Sequence, residues 1–195
     1  MPGIPLGCAE ISMDFPGTVS VRGQTLKHII YDVCSSIAKH GFKYIAISNQ
    51  HLDLTHLKAI LEGMKEVKEK YNVEIFENLS LAVHSESNNN NDVYSHIDLD
   101  LSKEIHADFK ETSFIKYKYP VLLRDNYKEL SPVHINIGKE IIKGKVRFKD
   151  MGADLGYIGS PQKATEEFGK HYFENAANTL ADLTIQMGCG SFGVI

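Results

Sequence analysis

The side chains with chemistry to offer fall into two short polar clusters. In the first, the apolar run Tyr44-Ile-Ala-Ile47 gives way to Ser48, Asn49, Gln50, His51, Leu52 and Asp53, with His56 one turn further on. A His and an Asp two apart on an irregular turn can face one divalent ion, the imidazole through nitrogen and the carboxylate through oxygen. The second is His106-Ala-Asp-Phe-Lys-Glu111-Thr-Ser113, where a His, carboxylates and hydroxyls precede the apolar stretch Phe114 to Tyr119. Imidazole titrates near neutrality, so a residue such as His106 can act as general acid or base. Each cluster also has a plainer reading: a solvated turn for the first, and a helix N-cap at Thr112 or Ser113 for the second.

These clusters must be held by regular elements. Tyr44 to Ile47 reads as a short buried strand between Gly41 and the Ser48-Asn49 turn. Ligands bind at the carboxyl ends of strands in open α/β sheets, which puts His51 and Asp53 on the crevice side. Residues 22 to 40 carry Leu26, Ile29, Ile30, Val33, Ile37 and Ala38 at helical spacing, with Gly41 as the stop. His28 and His40 then lie at the surface or helix end. Leu54 to Tyr71 reads as a second helix with Leu57, Ile60, Leu61, Met64 and Val67 on one face, and the charged run Lys65 to Lys70 as a solvated one.

Val73 to Val83 is a second β-prone run. Ser85 to Asp92, with Asn88 to Asn91 in a row, cannot bury apolar surface and reads as a flexible loop. Residues 117 to 150 read as a surface crossing, with Ile135 to Ile142 and Val146 to Phe148 as short strands or a helix edge. Gly152 to Gly159 lacks the Lys-Ser/Thr pair of a P-loop, and Gly156-x-x-Gly159 falls short of a dinucleotide fingerprint. Ser160 to Thr165 is expected to open the last helix, with Pro161 in its first turn and Glu166 and Glu167 near its positive end. That helix runs through Phe168, Tyr172, Ala176, Leu180 and Leu183, and the tail from Gly188 is expected to be loose. Alternating helices and strands predict a three-layer α/β/α sandwich with a mostly parallel sheet.

A chain of 195 residues, 43% hydrophobic, fits one domain over 1–195 with a sizeable core. The net charge of −4, with no basic cluster, gives no footprint for nucleic acid. No apolar run suggests a membrane span, Met1 to Leu6 lacks the plan of a signal peptide, and the cytoplasm is the expected compartment. Cys8, Cys34 and Cys189 are odd in number and without Cys-x-x-Cys spacing, which predicts reduced thiols rather than a disulfide framework or thiolate zinc site.

Two further runs, Phe15-Pro-Gly-Thr18 and Gly156-Tyr-Ile-Gly159-Ser-Pro161-Gln-Lys-Ala-Thr165, complete a series with the His51 and His106 clusters. In this order the four resemble the creatininase (creatinine amidohydrolase) family of metal-dependent hydrolases. The family's segments are Gly-x-Ser-x-Glu-His-x-x-Phe-Pro-Gly-Thr, Asn-Gly-His-x-(Gly/Glu)-Asn, His-Ala-Gly-x-x-Glu-Thr-Ser and Gly-x-x-Gly-(Asp/Ser)-Pro-x-x-Ala-Thr. Gly7 to Thr18 falls on the first, with Ala9 at its Ser and Ser12 at its His. Leu54 stands where the family has Asn, and Asp108 where it has Gly.

The resemblance implies the α/β/α fold, a homohexamer, a small-molecule substrate with a non-peptide C–N bond, and a dinuclear zinc, manganese or iron site. It places His51 and Asp53 among the metal ligands, His106 in proton transfer, and Glu111 in shaping the site. By the same register, the family's Glu-x-His-Gly-Pro-His-Leu-Pro segment and a later Asp, which together supply the Glu, His and bridging Asp ligands, would precede Met1. An alternative register makes Glu10 the first ligand, but then Ile11 and Ser12 supply no His and Phe15-Pro-Gly-Thr18 arrives too soon. His51 and Asp53 alone fall short of the three protein ligands usual for catalytic zinc, so weak metal binding or none is expected.

Overall fold

In the computed structural model, residues 3–77 and 99–188 are described. The chain forms two compact units, one from Met1–Ala9, Val19–Tyr94 and Thr179–Ile195, the other from Glu10–Thr18 and Ser95–Asn178.

The first unit is built on a strand–helix–strand repeat preceded by a helix. Helix α1 spans Gly23–Lys39, and Gly41, with φ +91°, closes it. Strand β1 is Tyr44–Ile47, helix α2 Leu54–Tyr71 and strand β2 Glu74–Glu77. The two strands pair in parallel, Tyr44 opposite Glu74 and Ile47 opposite Glu77, as a strand–helix–strand crossover requires. Asn72 turns the chain from α2 into β2 in the left-handed region, φ 48°, which Asn tolerates better than most residues.

Leu26, Ile30 and Cys34 of α1 and Ala59, Ile60, Met64 and Val67 of α2 make the core with Ile45, Val73 and Ile75. Each fully buried aliphatic side chain contributes roughly 1.5–3 kcal/mol. The helices meet at Gly63, where a Cβ would come within 2.9 Å of the Lys27 carbonyl oxygen, so a glycine sets this spacing. Leu61, expected on the inner face, is 45% exposed, and His56 and Gly63 take part in that face instead. Strand β1 is buried at Ile45 but leaves Tyr44 53% exposed, so it is a one-sided strand rather than a fully buried one.

The second unit begins with a 3-10 turn at Glu10–Ser12 and the turn Phe15–Thr18, closed by Thr18 N–H to the Phe15 carbonyl with Gly17 at φ +97°. Helix α3 spans Phe109–Lys118, α4 Ile137–Ile142, α5 Phe148–Met151, and α6 Glu166–Gly188, of which residues to Asn178 belong to this unit. Ile135 to Ile142 and Val146 to Phe148 enter helices rather than strands, because the Asn136 side chain accepts from Lys139 N–H and starts a helical turn. Phe148, Ala153 and Ile158 form the core with Ile11, Phe15, Ile135 and Ile137.

Two boundaries differ from expectation. The N-cap of α3 is Asp108, not Thr112 or Ser113, because its carboxylate accepts from both Lys110 and Glu111 N–H groups; Thr112 and Ser113 are buried inside the helix. The last helix starts at Glu166, since Pro161–Lys163 forms a separate 3-10 turn and Thr165 Oγ1 accepts from Phe168 N–H. The run beyond Glu77, the Asn88–Asn91 loop, Cys189 and the tail after Gly188 lie outside the described residues. No described helix is long and apolar enough to cross a membrane.

Candidate active site

In the first unit, the loop leaving β1 is ordered by its own polar side chains. Asn49 accepts from His51 N–H at 3.0 Å and donates back to the His51 carbonyl at 3.2 Å. Asp53 then caps α2, its Oδ1 taking the His56 N–H at 3.0 Å. Both imidazoles turn onto the backbone of Cys8. His51 Nε2 donates to the Cys8 carbonyl at 2.7 Å, and His56 Nδ1 accepts from the Cys8 N–H at 3.3 Å. The two rings meet edge to face, centroids 4.8 Å apart.

These bonds fix the protonation pattern. A carbonyl only accepts, so His51 Nε2 carries the proton; a backbone N–H only donates, so His56 Nδ1 is bare. Burial first, and His51 second, holds the His56 pKa below the usual histidine range. Burial, helped by Asp53, pushes the Cys8 thiol up, so the sulfur stays protonated and is no nucleophile. Gly7 passes so close to His56 that a Cβ there would stand 2.7 Å from Nδ1.

In the second unit, three of the four motif segments are brought together. His106 and Ile158 pair antiparallel through backbone bonds of 3.1 and 2.8 Å, and Val133 pairs in the same way with Gly159. The Phe15 ring packs on Gly156, which sits at φ +80° and where a Cβ would press on the ring at 3.0 Å. The His106 ring stacks on Phe148, centroids 4.8 Å apart. Ala107 is held at φ 44°, a left-handed geometry that non-glycine residues rarely adopt. Glu111 Oε2 accepts from Ala107 N–H at 2.6 Å and steadies that turn.

Sequence reasoning missed Glu104. Its side chain is buried, and Oε2 accepts from both Phe109 and Ser160 N–H groups at 2.9 Å. An acidic residue two before His106 was the available signal; its partner 56 residues away was not visible.

Among the described residues neither unit gathers the donors of a metal centre. A metal-bound imidazole ligates through its bare nitrogen and commonly donates its other ring N–H to a backbone carbonyl, and ligating carboxylates are themselves hydrogen-bonded. His51, whose Nε2–H bonds the Cys8 carbonyl, has Nδ1 left to ligate, and Asp53, whose Oδ1 caps α2, has its other oxygen; His56 Nδ1 is taken up by the Cys8 N–H. Among the described residues no group of three or more His, Cys, Asp or Glu could hold a metal ion. Of the described residues, His51 and Asp53 fall short of the three protein ligands usual for catalytic zinc.

The profile of the creatininase family, creatinine amidohydrolase, matches residues 1–184. This chain belongs to the creatininase family, an amidohydrolase family. A crystal structure of creatinine amidohydrolase (creatininase) superposes with a TM-score of 0.68 at 22% identity, over 95% of this chain and 74% of that one. A mutant creatininase of the Zn-Zn type gives 0.63 at 21% identity over 94% and 72%. A mutant creatininase complexed with creatine gives 0.64 at 20% identity over 93% and 73%. The likeness establishes the creatininase α/β fold. No curated protein matches the chain in sequence.

Proposed function

We propose that this chain is an amidohydrolase of the creatininase type acting on a small molecule with a non-peptide, cyclic C–N bond, with its hydrolytic step impaired. The observation that carries the lineage is the family match over residues 1–184, which takes in all four motif segments. Supporting a small, creatinine-like substrate is the neighbour complexed with creatine. In the family's assignment His51, through Nδ1, and Asp53, through its other oxygen, would help hold a zinc, manganese or iron ion, which would activate the attacking water; among the described residues no third ligand joins them. His106 would carry the proton between attacking water and leaving nitrogen, and Glu111 would hold the turn that aims it. The same reading takes 1–195 as one domain, homo-oligomeric as family hexamers are, in the cytoplasm.

A second reading is favoured by one specific set of bonds. His51, Asp53, Asp108 and Glu111 each serve backbone structure, which is what a non-catalytic binding or subunit partner would keep. Creatinine hydrolysis with excess zinc or manganese separates the two. Slow saturable turnover that His106→Ala abolishes supports the impaired hydrolase. Turnover absent at every metal concentration leaves the non-catalytic partner.

A further inference from the structure

The His106 turn is tied to the Gly156–Ser160 segment by backbone pairing with Ile158 and by one buried carboxylate. Glu104 is 4% exposed, and its Oε2 receives two backbone N–H groups, each at 2.9 Å. One belongs to Phe109, the first residue of α3 after the His106 turn; the other belongs to Ser160, the residue after Gly159. Among the described residues the other carboxylate oxygen is buried without a hydrogen-bond partner. An acceptor serving two buried donors is costly to remove, because both would be left unpaired.

The surroundings are shaped for this contact. Gly159, at φ +142°, passes so close that an added Cβ would collide with Glu104 Oε2 and come within 2.6 Å of the Asp108 Cβ. Lys110 Nζ donates to the Glu104 carbonyl at 3.0 Å and pairs with Asp108 at 3.4 Å, securing the same segment from its other side. On either side of this staple, His106 pairs with Ile158 and Val133 with Gly159. The loop that carries the imidazole onto Phe148 is thus held at Ile158 by backbone pairing and at Phe109 through the Glu104 carboxylate.

We propose that Glu104 is the positioning residue for His106: its carboxylate locks the His106 turn to the Gly156–Ser160 segment and so fixes the imidazole against Phe148. The inference rests on the reading of His106 as proton carrier, and it deepens that reading by naming what aims the carrier.

The test uses the full chain with Glu104→Gln, Glu104→Asp and Glu104→Ala. Two NMR readouts apply: hydrogen exchange at the Phe109 and Ser160 amides, and the His106 ring-proton shifts, which the stacked Phe148 ring displaces. Gln keeps an accepting oxygen at full reach and should match wild type in both. Asp is too short and Ala has no acceptor; in each, the two amides should exchange on the order of 10-fold faster or more. The His106 shifts should move toward those of an unstacked histidine, while the Val67 amide stays protected. The proposal is overturned if Asp and Ala keep slow exchange and stacked shifts, or if Gln loses both as Ala does. Global unfolding of both Asp and Ala variants also overturns it, because Glu104 would then determine the fold rather than aim a side chain. Absent turnover in wild type defeats the hydrolase reading alone and leaves these spectra unchanged.

Discussion

His51 Nε2 donates its proton to the Cys8 carbonyl oxygen across 2.7 Å, 43 residues earlier in the chain. The residue that the motif assigns to a metal thus serves as a latch between the loop after β1 and the N-terminal segment. Removing it leaves a carbonyl without its donor, and His51→Ala should lower stability by about 1 kcal/mol. Urea denaturation in the presence of chelator measures this. A histidine idle until metal arrives would give no loss.

Acid should weaken the same region through His56. Its folded pKa is held low by burial and by His51, so the unfolded chain takes up this proton more readily. The stability that neutral His56 contributes is complete above the unfolded value of about 6.5, and is lost as pH falls from there through the folded pKa. Protonation at Nδ1 also removes the acceptor for Cys8 N–H. Melting temperature should therefore drop between pH 7 and pH 5, and drop less in His56→Phe. Equal acid sensitivity in the two proteins would show that other groups dominate.

Ala107 supplies a test of the His106 turn. Holding a non-glycine residue in the left-handed region costs roughly 1–2 kcal/mol, while glycine returns part of that through a freer unfolded chain. Ala107→Gly should be neutral or stabilising by up to about 1 kcal/mol. An ordinary loop position would instead lose about that much, and chemical denaturation distinguishes the signs.

Much of the first unit was legible from periodicity alone. Residues 22 to 40 and Leu54 to Tyr71 predict helices found at Gly23–Lys39 and Leu54–Tyr71, since both present long apolar stripes with clear stops. The Phe15–Thr18 turn also follows from its Pro and Gly. What sequence could not show was how polar side chains are spent. Asp53, a metal ligand by resemblance, and Asp108, at the family's Gly position, each also cap a helix, a contact that only the folded backbone shows.

Contacts between distant segments were hidden for a related reason. Glu104 gains its meaning from Ser160, and His51 from Cys8; neither pairing leaves a periodic trace. In the last helix, Pro161 signals a helical start correctly, but the turn it opens ends at Lys163 before Thr165 caps the longer helix.

His51 and Asp53 either hold a metal with ligands beyond the described residues or hold none tightly. The decisive measurement is metal content per chain, by elemental analysis of protein purified without chelator, for wild type, His51→Ala and Asp53→Ala. The prediction from two donors, short of the three usual for catalytic zinc, is well under one equivalent in wild type, readily dialysed away. About two tightly held equivalents of zinc, manganese or iron, the complement of a two-metal site, lost in both variants, would contradict it and restore a complete hydrolase.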